Sequence, residues 1–495
     1  MRIIAPFEVS NDSKFIKVFK RKRINRLESK VGMSILSPET ANFDGEVDVL
    51  VIGAGGCGLT AALSAHESGA EVLVLERDSS ALGTTAMSTG LIPGAGSRFQ
   101  KEKGIEDSPE LFTADLLRKT HNETDHDMAA HMAKVSAPTV EWLAESCGVP
   151  LSLVDSFDYP GHTKRRMHGT PNRTGSELMG ALHDAMARNS LDIVLEAPVT
   201  DLFADSAGLV KGVRITRPDG TVEDLGCNAL ILGCCGFAGN QEMLQEYIPE
   251  IVAAEFFGHP GNKGDAIRWG RGMGAAIGDI HSYQGHGGLA YGQGVPILWA
   301  HIMEGGFQVN AKGDRFSNEA KGYSEQAVQI VAQPDHYAWS IYDERCHNVM
   351  KEFDDYHDAL KADCIRKADT LDDLVAITKL PETLKQTVAD VEAMTRGETE
   401  DAFGRDFTGH AVLKAPYYAV KVSAALFHTQ GGLVVDGNGQ VKREDGSLFP
   451  NLFAGGGAAR GISGPGASGY MAGNGLLTAT AFGWLSGRAA AKIVT

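Results

Sequence analysis

Residues 47–76 restrict the fold more than any other part of the chain. Residues 47–52 read Val-Asp-Val-Leu-Val-Ile. Such a β-branched and apolar run, bounded by glycine, predicts a strand buried in a parallel sheet. Gly53-Ala54-Gly55-Gly56-Cys57-Gly58 follows at once. Residues 59–68 are helix formers, and Gly69 stands where a helix ends in a left-handed residue. Residues 71–75 predict a second strand, with Glu76 and Arg77 at its end. Strand, glycine turn, helix, strand and acid in this order make a βαβ dinucleotide unit. Gly53 forms the tight turn, and Gly55 lets backbone approach a pyrophosphate. Gly56 and Cys57 open the helix whose N-terminus attracts phosphate, and Gly58 lets helix pack on strand. Glu76, 23 residues after Gly53, is placed to accept hydrogen bonds from an adenosine ribose. An acid there favours a free 2′-hydroxyl.

The next segment separates FAD from NAD. Residues 81–90 form a loop of small and hydroxylated residues, including Gly83, Thr84, Thr85, Ser88, Thr89 and Gly90. An NAD-binding chain usually continues into another strand and helix, whereas such a loop suits a long, extended cofactor. The C-terminus carries a matching signal. A short strand at 451–454 leads into a turn with Gly456 and Gly457, then a loop at 464–470 containing Ser468. Gly473, Asn474, Gly475 and Leu476 then open a helix that reaches about Ile493. Its N-terminal dipole would stabilise negative charge on a reduced flavin. Residues 229–232, closed by Gly233, predict another buried strand of the same domain. The fold class expected is α/β, with a Rossmann-type FAD-binding domain.

Composition narrows the partners. A chain of 495 residues implies two domains or one with a large insertion. A formal charge of −17 disfavours nucleic acid or an anionic membrane. No apolar run is long enough to span a bilayer. Seven scattered cysteines suggest reduced thiols and a cytoplasmic setting. Adjacent Cys234 and Cys235 read as part of a buried strand rather than a redox pair. The sixteen histidines show no metal-ligand spacing, so no metal is expected. Residues 1–44 form a basic extension with Lys20, Arg21, Lys22 and Arg23. It reads as a disordered or surface tail, as the product of a mistaken start codon with the natural leader beginning at Met33, or as a basic anchor.

Together these pieces resemble the fumarate reductase/succinate dehydrogenase flavoprotein superfamily, from about residue 45 to the end. Gly264-Asp265, residues 309–319, residues 368–371 and His428-Thr429-Gln430-Gly431-Gly432 add to the likeness. The resemblance implies that the FAD domain is discontinuous, with segments at 45–280 and 426–495 around an inserted α+β cap at 281–425. It adds Val199, Gly264 and Asp265 to the cofactor set. It also implies noncovalent FAD, because no histidine occupies the 83–90 loop where covalent members attach it.

The resemblance also bears on substrate. His286 and His428 match substrate-binding histidines. Leu298-Trp299 stand where a threonine–glutamate pair is expected. Tyr323 occupies the position of the proton-donating arginine, and Tyr470 that of a carboxylate-binding arginine. Tyrosine cannot supply arginine's bidentate fork, so a dicarboxylate is disfavoured. Trp299, Phe307, Tyr323 and Tyr470 would line a partly aromatic pocket, with Ser468 nearby. Paired tyrosines are similar to the 3-ketosteroid dehydrogenase branch. That branch implies a dehydrogenase acting α,β to the carbonyl of a cyclic ketone. Tyr323 would be the base, and Tyr470 or His428 would hold the carbonyl oxygen. The alternatives are an ene-reductase and a non-catalytic flavin redox sensor. The partners expected are a small carbonyl substrate and a separate electron acceptor. His162, His168 and Arg173 read as a solvated basic loop, or as a site for an anionic group of the substrate.

Overall fold

The computed structural model describes residues 34–155 and 158–494. The basic run at 20–23 lies outside these residues. The main sheet has nine strands. Those used below are β1 (Ser34–Leu36), β2 (Gly45–Ile52), β3 (Val72–Leu75), β4 (Ile193–Val194), β5 (Val199–Ala204), β6 (Val210–Thr216) and β7 (Val222–Leu232). They lie in the order β1-β5-β6-β7-β2-β3-β4. Residues 34–44, which the sequence assigns to the extension, already contribute β1, parallel to β5. Strand β2 runs parallel to both β3 and β7. Val49, Leu50 and Val51 on it are wholly buried, as a strand covered on both faces requires.

A second sheet of six strands is built from the later chain. It contains β8 (Tyr283–Ala290), β9 (Phe307–Val309), β10 (Tyr337–Asp343), β11 (Ile365–Ala368) and the long β12 (Tyr417–Thr429). Strand β12 pairs with β8, β10 and β11. The short strand Glu255–Phe256 also joins it. This sheet therefore overruns the expected 281–425 limits on both sides. That overrun matters, because β12 carries its last residues, His428 and Thr429, opposite Gln284 and Tyr283 of β8. The chain returns to the main sheet at the short strand Gln440–Lys442 and at β13 (Leu448–Ala454), which runs parallel to β7.

Four helices position the site: α1 (Gly56–Glu67), α2 (Pro109–Lys119), α3 (Tyr323–Val331) and α4 (Asn474–Val494). Helices α1 and α4 meet through small residues. A Cβ at Gly483 would lie 2.6 Å from the Cys57 carbonyl oxygen, and one at Gly487 2.3 Å from that of Ala61. Glycines four apart on one face let the backbones touch, which sets where the N-terminus of α4 falls. Among the described residues, no helix is long and apolar enough to cross a membrane.

Candidate active site

The cofactor cleft forms where β2, α1 and β3 meet the C-terminal turn. Gly53 has φ +97°, which a glycine tolerates. A Cβ at Gly58 would sit 1.8 Å from the Gly53 carbonyl oxygen, so only glycine closes this turn. At Gly55 the nearest atom to an added Cβ is 3.9 Å away, leaving an open face beside the N-terminus of α1. Glu76 is buried at the end of β3 and accepts from the Ala54 N–H at 2.8 Å and the Asp78 N–H at 3.1 Å. Arg77 pairs with Asp265 at 3.3 Å. The Thr85 hydroxyl accepts from the Gly56 N–H at 3.1 Å and ties the 83–90 loop to the fingerprint. Val199 starts β5 near Glu76, whose carbonyl accepts from the Ala197 N–H at 2.8 Å. Gly233 packs against Gly53 and Gly58. Two buried acceptor atoms here, Asp265 Oδ1 and Asn474 Oδ1, have no protein partner. An open glycine face, a buried acid at the ribose position and unpartnered acceptors fit an FAD.

A cavity of about 220 Å³ opens beside this cleft. Thr84, Thr85, Ser88, Thr89, Gly457, Gly473, Gly475 and Leu476 line its cofactor side. Its other wall is aromatic. The His286 ring stacks between Tyr323, at 5.1 Å and 28°, and Phe427, at 5.1 Å and 2°. Trp299 stands edge-on to both His286 and Tyr323. Tyr323 faces Tyr470 at 6.1 Å, and Tyr470 meets His428 edge-on at 5.7 Å. Among the described residues no lysine or arginine lines the cavity, whereas the carboxyl-bearing Asp355 does.

The fold explains how these side chains meet. Gln284 on β8 lies opposite His428 on β12, and His286 opposite Ala425. Tyr323 opens α3, which is fastened to β8 by the Gly285 N–H donating to Ser324 Oγ at 2.9 Å. Two residues on, Glu325 pairs with Lys119 of α2 and ties this helix to the flavin side.

Burial dominates the electrostatics. It pulls His286 down to about 3, with His301 adding a smaller push in the same direction. It pulls His428 down to about 4. Both imidazoles are neutral near pH 7. The Gly288 N–H donates to His286 Nδ1 at 3.1 Å, which leaves the ring proton on Nε2. Burial also pushes the Tyr323 phenol well above its ordinary value, assisted by Tyr470, Tyr159 and Glu325. Tyr470 is raised for the same reason, offset in part by a backbone hydrogen bond from Gly475.

Several expectations need correction. Ser468 is half-buried and does not line the cavity. Phe307 is fully buried in a separate core with Leu374, Leu384 and Phe407, because β9 turns it away from the pocket. The 162–173 segment is not a solvated basic loop. His168 and Arg166 are fully buried, since Asp107 and Asp115 neutralise the guanidinium. Cys234 and Cys235 are free thiols, and burial raises Cys234 to about 12. Cys235 nevertheless lines the cavity, as do Phe427, Gln284, Tyr159 and Gln430. Gln284 and Phe427 follow only from strand register, which the sequence leaves open. Gln430 lies just past the end of β12, two residues after His428 in the quoted His-Thr-Gln-Gly-Gly stretch.

The chain matches the FAD binding domain family over residues 48–476. It belongs to that family. It is 28% identical over 452 residues to a fumarate reductase (cytochrome) of Shewanella frigidimarina, covering 90% of this chain and 77% of that protein. It is 27% identical to the urocanate reductase of Eggerthella lenta, covering 85% and 70%. The open conformation of a flavocytochrome c3 fumarate reductase superposes with a TM-score of 0.77 at 26% identity, over 92% of this chain and 79% of that one. A 3-ketosteroid-Δ4-(5α)-dehydrogenase from Rhodococcus jostii shares the fold with a TM-score of 0.73 at 22% identity, over 92% and 99%. The protein is thus an FAD-dependent oxidoreductase of the fumarate reductase/succinate dehydrogenase flavoprotein superfamily.

Proposed function

We propose that this flavoprotein acts on the Cα–Cβ bond next to the carbonyl of a cyclic ketone, and that it desaturates that bond. The observation that carries the reading is the cavity wall itself: two facing tyrosines, two neutral histidines and, among the described residues, no cationic side chain. A dicarboxylate entering it would lose hydration without gaining a charged partner, at a cost of several kcal/mol per ion. A ring with one ketone oxygen asks only for aromatic surface and hydrogen-bond donors.

FAD, held noncovalently by the glycine cleft, supplies the hydride acceptor. The Tyr470 oxygen accepts from the Gly475 backbone, which leaves its O–H to donate to the ketone oxygen. His428 offers a second donor. Both would strengthen their hold as charge develops on that oxygen. Tyr323 faces Tyr470 across the cavity and takes the α-proton. Burial opposes its ionisation, so proton loss from Tyr323 must be coupled to substrate entry. Electrons then pass to a separate acceptor. The cap reading of residues 281–425 belongs to the same proposal, with the aromatic wall as its inner face.

One observation favours the reverse reaction as a second reading. A phenol held neutral is ready to give a proton to Cα, and the relatives named above are reductases. Anaerobic mixing decides between them. Loss of visible flavin absorbance on adding saturated cyclic ketones supports desaturation. Reoxidation of dithionite-reduced enzyme by enones, with no bleaching by any ketone, would overturn it. In either direction Tyr323→Phe should slow the proton-coupled step by roughly 10²–10⁴-fold. A change within about threefold removes Tyr323 from the chemistry.

A further inference from the structure

A line of buried side-chain hydrogen bonds runs from the first residue of α4 to the cavity. Asn474 Nδ2 donates to Ser463 Oγ at 3.2 Å. Ser463 Oγ donates to Gln430 Oε1 at 3.1 Å. Gln430 Nε2 lies 3.0 Å from His428 Nδ1. Asn474, Ser463 and Gln430 are all at least nine-tenths buried. The Gln430 backbone is pinned at both ends: its N–H donates to the Ser282 carbonyl at 2.7 Å, and its carbonyl accepts from the Gly461 N–H at 2.8 Å.

The line has a direction. A serine hydroxyl carries one hydrogen, so a donor to Gln430 must accept from Asn474. With its oxygen so engaged, Gln430 turns its NH₂ toward His428. A neutral imidazole that accepts at Nδ1 carries its proton on Nε2. Reversing every bond would turn the Asn474 carbonyl toward Ser463 and put its NH₂ at the buried point where Oδ1 now has no protein partner. Nε2 is the nitrogen beside Gly475, where an added Cβ would lie 2.8 Å away. The missing side chain keeps the approach to this N–H open, and Gly475 itself lines the cavity. A competing arrangement exists. His428 Nδ1 is also 3.4 Å from the Thr429 carbonyl, which would take a proton placed on Nδ1. Gln430 is what opposes it.

We infer that Gln430 is a positioning residue that fixes His428 as an Nε2–H donor toward the substrate's carbonyl oxygen. A donor there favours a group whose oxygen accepts, such as a ketone, over one that offers only N–H or C–H at that point. This rests on reading the cavity as a carbonyl site, but the tautomer itself does not.

The test uses the FAD-bound protein labelled with ¹⁵N-histidine, with long-range ¹H–¹⁵N spectra and His428→Gln to assign the ring. Wild type should show the Nε2–H form. Gln430→Leu should move the proton to Nδ1, toward Thr429. Gln430→Glu should give a ring protonated at both nitrogens, because the carboxylate accepts from Nδ1–H. In kinetics, Gln430→Leu should lower kcat/KM for a reacting ketone by about 10²-fold, as loss of an oxyanion donor does. The same substitution in a His428→Phe background should have no further effect. If Gln430→Leu fails to retain FAD, Gln430→Met, closer in shape, replaces it. An Nδ1–H ring in wild type, or an unchanged ring in both apolar variants, overturns the inference. Should no ketone react at all, the proposed function fails while the tautomer result still stands or falls by itself.

Discussion

Removing the Arg166 guanidinium should destabilise the protein by about 3 kcal/mol, the lower end of the range for breaking a buried ion pair. Arg166 is fully buried. Its Nε and Nη2 bind the two oxygens of Asp107 at 2.8 and 3.0 Å, and Nη1 binds Asp115 at 2.6 Å. Its plane also covers the Phe112 ring at 4.6 Å. Arg166→Met keeps the apolar stem and removes the charge, leaving two buried carboxylates facing each other. Some compensation remains. Asp107 keeps the Gln100 amide at 2.9 Å, and Asp115 keeps the Thr163 N–H and hydroxyl, each at 2.9 Å. Arg118 also reaches Asp115 at 2.8 Å, but its side chain is 55% exposed and screened by water. These contacts are why the lower end is expected. The consequence reaches the active site through His162, which lies 3.3 Å from Arg166 Nη1 and 3.0 Å from the Ala472 carbonyl. Ala472 sits between Tyr470 and Asn474, so the loop bearing both should loosen. Urea denaturation of the FAD-bound protein, followed by flavin and tryptophan fluorescence, measures the loss. Adding Asp107→Asn and Asp115→Asn should recover at least half of it. A loss below about 1 kcal/mol, or a triple variant no better than the single one, would refute the ion-pair argument.

Gly58→Ala should yield protein without FAD, because the new Cβ would lie 1.8 Å from the Gly53 carbonyl oxygen; stoichiometric flavin absorbance in the purified variant would contradict this. Burial holds His162, His168 and His301 at about 4, alongside His428 at about 4 and His286 at about 3. Each lies below its unfolded value of about 6.5, so the unfolded chain binds more protons in that window. Stability should therefore be full above about pH 6.5 and fall as the pH drops toward 4. Equal denaturation midpoints at about pH 7 and about pH 5 would count against five neutral histidines. Substrate binding should show no histidine inflection between about pH 5 and 8, measured by titrating flavin absorbance with ligand.

The FAD cleft was legible because its parts are contiguous. Within 47–76 a strand, a turn, a helix and an acid follow one another, and Gly53 and Gly58 answer backbone demands that no other residue meets. The loop at 83–90 and the start of α4 could be read the same way, from small residues that leave room for a ligand. The family resemblance located Tyr323, Tyr470, His286 and His428, yet not their mutual geometry. That geometry depends on how β8 pairs with β12, with a register shift between Gln284 and Gly285 and Gln284 opposite His428. A slip of one residue would turn every side chain to the other face, and local sequence does not fix it. The 162–173 segment was misread for a related reason. Its charges look solvated until Asp107 and Asp115, some fifty residues away along the chain, fold over Arg166. Sequence alone thus determined the cofactor class, because a phosphate-binding turn is a local backbone shape. Only tertiary structure decided which side chains line the pocket and how His428 is held, because hydrogen bonds and burial between distant segments set which side chains meet and which way they point.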